Sequence, residues 1–225
     1  MIKLIIFDWD DVITIGSTDG YFKCYHGTLV DLGFILEPFE ERKRILAKWG
    51  RSQLEELREL LKEKPELIEK ANEIYESKLF GTTFVNELRL IAGTVELLNK
   101  LRQKYVLAVA TGVNPRLLSE VIMPKFGIPN VFSKIISSCS ITDPVKQKPS
   151  PYMLQEIMET LGFNPEETLL VGDARTDVIM ARQAKVEPVV VLTGHLTEKD
   201  AQALGVKFII KDVTYLLEVL EIMSG

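Results

Sequence analysis

Cysteine is almost absent: Cys24 and Cys139 are the only two in 225 residues, and neither has a CxxC or Cys/His metal spacing nearby. That excludes a disulfide framework and a thiolate zinc site, and both thiols are expected to be reduced and partly buried. No charge of one sign dominates. The net charge is −5, and Lys and Arg alternate with Asp and Glu, so no basic stripe suits a nucleic acid and no polybasic segment suits a membrane. Long apolar runs are missing too. The run Leu4 to Phe7 is too short for a signal peptide or a membrane span and leads straight into charges, so the chain reads as cytoplasmic with a small partner. No internal repeat or low-complexity tract appears. What is plentiful is apolar side chain, 46% of residues, ample for the core of one large domain or two unequal ones.

The stretch Leu4-Ile5-Ile6-Phe7-Asp8-Trp9-Asp10-Asp11 organises the rest. A buried strand delivers two carboxylates, Asp8 and Asp10, to its C-terminal end, where open parallel sheets gather their ligands. Two anions so close repel unless a cation or a shared proton separates them; an acidic, solvated turn after a strand would look the same in sequence. Thr14 to Thr18 then reads as a loop feeding a helix, and no strand is expected before about Leu90. Phe22, Tyr25, Leu29 and Leu32 form one helical face ended by Gly33. Further helices are expected over 39–49, 54–61 and 67–79.

From Gly93 the rhythm becomes βα. Strands are expected over 106–110, 134–137, 168–171, 188–192 and 208–210, and helices over 95–102, from Asn114-Pro115 to near Gly127, 151–161, 177–184 and 215–223. Asn164-Pro165-Glu166-Glu167 carries a capping-box pattern. The fold class is α/β: a Rossmann-like parallel sheet with helices on both faces, over 1–14 and 93–225, plus an inserted α-helical cap over 15–92.

Four stretches fall at strand ends of such a sheet: Asp8-Trp9-Asp10, Thr111-Gly112, Lys148-Pro149-Ser150-Pro151, and Gly172-Asp173 through Asp177. Singly, each has a bland reading as a turn, a solvated lysine or a helix N-terminus. In this order, they resemble the haloacid dehalogenase superfamily over the whole chain, with the helical insert similar to that family's cap. The resemblance implies a Mg²⁺-dependent phosphatase of phosphoglycolate phosphatase type, acting on a small phosphorylated metabolite. It assigns Asp8 as nucleophile, Asp10 as general acid/base, Thr111 and Lys148 as phosphate anchors, and Asp173 as a magnesium ligand with Asp177 behind it, the metal set being Asp8, Asp10, Asp173 and Asp177. Hard carboxylate oxygens suit Mg²⁺, and a phosphate dianion approaching Asp8 needs that cation and Lys148. Backbone N–H groups after Asp8 and around Gly112 are expected to hold phosphoryl oxygens.

The acid at position 10 argues against dehalogenases and phosphonatases, which generally lack it. A sugar-phosphate mutase would resemble this chain but tends to carry a cap His at the position matching Gly20. A catalytically idle module binding a phosphorylated ligand or a protein would have lost Asp8, Asp10, Lys148 or Asp173. Within the cap, Trp49-Gly50-Arg51-Ser52 resembles the loop that similar phosphatases point into the active site; Arg51 would then grip a carboxylate or second phosphate, although a helix-helix turn with a solvated arginine has the same pattern. Tyr21, Tyr25 and His26 would line the cleft or pack the helices, and His195 reads as a surface loop residue. Two departures stand out. Asp11 occupies the usual Gly position and Lys185 another, so both must tolerate a left-handed backbone.

Overall fold

The computed structural model describes residues 1–48 and 53–223. It divides into two compact units, residues 1–15 with 89–225 and residues 16–88.

The first unit is an α/β Rossmann-like fold built on a parallel sheet. Its strands are β1 (Leu4–Phe7), β4 (Val106–Thr111), β5 (Phe132–Ser137), β6 (Thr168–Gly172), β7 (Glu187–Val191) and β8 (Phe208–Ile210), in the order β5-β4-β1-β6-β7-β8. Every pairing is parallel. The chain winds outward from β1 through β4 to β5, then returns to the other side of β1 for β6, β7 and β8. Ligands of such sheets collect at this switch point. β1 is fully buried on both faces, which is why it reads as an uninterrupted apolar run. Leu4, Ile6, Ala108 and Ala110 pack with Met153, Leu154 and Ile157 of helix Tyr152–Leu161 and with Met180 and Ala181 of helix Arg175–Gln183. The alternate residues Ile5, Phe7, Leu107 and Val109 are buried as well, so the opposite face is also covered.

Three differences from the expected elements have local causes. Thr14–Ile15 (β2) is a strand, paired antiparallel with Arg89–Leu90 (β3); two residues are too few to show a period. Helix Glu198–Ala203 is an addition to the expected elements, started by the Thr197 hydroxyl, which accepts from Asp200 N in a capping box. The helix that Asn114 starts, its side chain accepting from Arg116 N and Leu117 N, widens to a π turn over Leu118–Ile122. The next turn contains Pro124, which has no N–H to give to the preceding turn.

The second unit is helical: Ser17–Asp31, Pro38–Ala47, Gln53–Leu60, Ile68–Phe80 and Thr82–Val85. Tyr25 is buried and stacks on Tyr75 at 4.4 Å between ring centroids, and its hydroxyl donates to Glu56. Tyr21 packs on Phe84. His26 stays exposed and pairs with Glu41 at 3.0 Å. Among the described residues, no helix is long and apolar enough to cross a membrane.

Candidate active site

Asp8 is the first residue beyond β1. The register Phe7↔Val171 is continued by a hydrogen bond from Asp8 N to Val171 O at 2.9 Å, so the strand itself fixes where the carboxylate starts. Asp8 Oδ1 accepts from Trp9 N at 2.8 Å, and Oδ2 lies 2.8 Å from Lys148 Nζ. Lys148 reaches in from the loop before helix Tyr152–Leu161 and also contacts Asp177 Oδ1 at 2.8 Å. The Lys148-Pro149 peptide bond is cis.

Asp177 lies in the first turn of helix Arg175–Gln183. Its Oδ2 accepts from Ala174 N at 3.1 Å and Asp173 N at 3.3 Å, satisfying amide groups that a helix start leaves open. Its other oxygen is thereby held toward Lys148. Gly172 makes the packing feasible, since a Cβ there would stand 2.5 Å from Asp177 Cβ. Asp173 is buried, and its Oδ2 accepts from His195 N at 2.9 Å.

Carboxylate oxygens of Asp8, Asp173 and Asp177 lie within 4.8 Å of one another. Set against the Lys148 ammonium, these three carboxylates leave two negative charges in a buried site. Burial, then the neighbouring Asp177 and Asp8, push the Asp173 carboxyl up to about 8. Burial also raises Asp8, more than the Lys148 ammonium lowers it. Lys148 is raised because Asp177 and Asp8 outweigh the opposing effect of burial. This donor set fits a hard divalent cation, which would offset the remaining charge and restore ionised carboxylates. A second group, Asp11, Asp173 and His195, also presents ligand atoms within 4.8 Å of one another. Asp10 belongs to neither group; it is half-buried and forms a bridge with Thr14.

The turn after Asp8 is tight. Val12 N and Ile13 N donate to Trp9 O, and Asp11 N donates to Thr14 O at 2.6 Å. Asp11 takes φ 58° and Lys185 φ 60°, the left-handed geometry that their positions demanded. The amides of Asp11, Val12 and Ile13 are therefore engaged within the turn, while Trp9 N lies on Asp8 Oδ1. Thr111 is buried at the end of β4, and its hydroxyl accepts from Val113 N at 3.1 Å. Gly112 O accepts from Cys139 Sγ at 2.9 Å, which ties the loop after β4 to the loop after β5. Cys139 is exposed, against the expectation of partial burial, while Cys24 is buried. Arg51 lies outside the described residues.

The model of a family described as haloacid dehalogenase-like hydrolase matches residues 2–185. The chain belongs to that family. Among curated relatives, it is 34% identical over 106 residues to a phosphoglycolate phosphatase of Haemophilus influenzae (strain 86-028NP), covering 47% of this chain and 46% of that protein. It is 32% identical over 87 residues to pyrophosphatase PpaX of Oceanobacillus iheyensis, 39% of each chain. The chain spans about half the length, or less, of the curated phosphoglycolate phosphatases it matches first. Among solved structures, one described as a predicted phosphoglycolate phosphatase from Haemophilus somnus 129pt superposes with a TM-score of 0.81 at 21% identity, covering 97% of this chain and 98% of that one. At that identity the likeness is one of fold.

Proposed function

We propose that this member of the family is a Mg²⁺-dependent phosphatase, similar to phosphoglycolate phosphatases, that hydrolyses a small phosphorylated metabolite through an aspartyl phosphate on Asp8. The observation that carries the reading is the buried meeting of Asp8, Lys148, Asp173 and Asp177 at the sheet switch point. Asp8, Asp173 and Asp177, with Asp10, are the residues that would hold Mg²⁺. When bound, the cation supplies positive charge that lets a phosphate dianion approach an ionised Asp8.

Asp8 attacks phosphorus in line with the leaving oxygen; the Asp8 O–P bond forms as the bond to the leaving alkoxide breaks. Asp10, protonated at this stage, gives its proton to the departing oxygen. It then takes a proton from water, which attacks phosphorus, breaks the Asp8 O–P bond and releases inorganic phosphate. Lys148, held between Asp8 and Asp177, is placed to stabilise phosphoryl oxygens. Thr111 and Gly112 would position the phosphate from the end of β4. Arg51 would select substrates carrying a second anionic group.

The test is phosphate release from a panel of phosphorylated metabolites, including phosphoglycolate, sugar phosphates and nucleotides, with Mg²⁺ and with chelator. Release should require the cation and fall ~10³-fold or more in Asp8→Asn, a barrier change of ~4 kcal/mol. Full turnover by that variant would rule out the nucleophile assignment.

A further inference from the structure

The loop after β7, residues 193–196, is tied to both acidic loops of the site. His195 N donates to Asp173 Oδ2 at 2.9 Å, and Leu196 N donates to Asp173 O at 3.0 Å. The Thr193 hydroxyl donates to Asp11 O, in the turn that follows Asp8 and Asp10. Between these anchors Gly194 presses on Asp173 so closely that a Cβ would stand 2.0 Å from Oδ2 and 2.5 Å from Cγ. Real Cβ atoms essentially never come so near, so any side chain at 194 must displace either the loop or the carboxylate.

We propose that residues 193–196 form a strap that sets the position of the Asp173 carboxylate for cation binding, which makes Gly194 and Thr193 positioning residues. The proposal rests on the cation-binding reading of the site given above. Asp173 follows the last residue of β6 directly, and its main chain is held by Asp177 Oδ2 through its N–H and by Leu196 N through its carbonyl. The side chain then has two torsions, χ1 and χ2, left to fix, and the His195 amide on Oδ2 restrains both. Groups that orient a metal-binding carboxylate through hydrogen bonds typically contribute 10- to 100-fold in metal affinity. The Thr193 bond extends the same control to the Asp11 turn, so both sides of the site are referred to one short segment.

Mn²⁺, whose free form is counted by its paramagnetic resonance signal, measures affinity without any substrate. The wild-type chain should bind it, and Gly194→Ala should bind about tenfold or more weakly. Gly162 supplies the control. It has φ 75° at the end of helix Tyr152–Leu161, and nothing lies within 4 Å of where an added methyl group would stand, so Gly162→Ala strains the backbone away from the strap and should leave Mn²⁺ affinity unchanged. Thr193→Val should weaken Mn²⁺ binding and Thr193→Ser should restore it, a pair that decides the matter if Gly194→Ala does not fold. Wild-type affinity in folded Gly194→Ala or in Thr193→Val would overturn the strap, as would an equal loss in Gly162→Ala. A wild-type chain that takes up no Mn²⁺ would overturn the cation-binding reading and the strap with it.

Discussion

Lys148 Nζ stands 2.8 Å from Asp8 Oδ2 in the buried heart of the site, joining the residue proposed to attack phosphorus to a buried ammonium. Its second partner is Asp177, also at 2.8 Å. Removing the ammonium leaves both carboxylates buried without their cationic partner, which for a buried pair costs about 3 kcal/mol. Lys148→Ala should therefore lower the unfolding free energy in chelator by an amount of that order, with a lower urea midpoint. Saturating Mg²⁺ should recover part of the loss, while phosphate release stays down about 100-fold. An unchanged midpoint would mean that the pair contributes nothing to the fold.

Asp173 makes stability depend on pH. Its carboxyl ionises near 3.8 in the unfolded chain and at about 8 in the folded one. Between those values the folded chain holds a proton that the unfolded chain has released, so stability is full at the acid end and falls as pH rises through the window. Asp8 is shifted in the same direction. Thermal melting in chelator should drop between about pH 5 and about pH 8, and added Mg²⁺ should raise the midpoint more at the alkaline end. A melting temperature independent of pH over that range would contradict the crowding of carboxylates.

Lys185 tests the left-handed backbone far from the chemistry and Asp11 tests it beside the site. Both have positive φ, but Lys185 is an exposed residue just past helix Arg175–Gln183, with its N–H donated to Arg182 O. Lys185→Gly should stabilise by roughly 0.5–1 kcal/mol, because the left-handed cost exceeds the added freedom of the unfolded chain. Asp11→Ala should destabilise by about 1 kcal/mol, since Asp tolerates this geometry better than Ala. Denaturant midpoints of the two variants should move in opposite directions.

Much of this architecture was legible in the chain because strand ends are legible. An apolar run followed by a carboxylate, as at Phe7-Asp8 and Val171-Gly172-Asp173, announces both the strand and what it delivers, and the order of the strands brings Asp8, Lys148, Asp173 and Asp177 to one place. The left-handed positions of Asp11 and Lys185 followed from glycine's usual place there. The contributions of main-chain groups were not legible. His195 acts on Asp173 through its N–H, which every residue but proline possesses, so the side chain at 195 carries no trace of it. Thr197-x-x-Asp200 did carry a helix start that periodicity alone passes over in a segment of six residues.

The most direct test of an aspartyl phosphate on Asp8 is the stereochemical course at phosphorus, followed with a phosphorothioate monoester made chiral by sulfur and 18O and hydrolysed in 17O-labelled water with Mg²⁺ present. Each in-line displacement inverts the centre. Attack by Asp8 followed by attack of water gives two inversions, so the account predicts net retention in the released thiophosphate. Net inversion would mean that water attacks the substrate directly, and Asp8 would then not be the nucleophile.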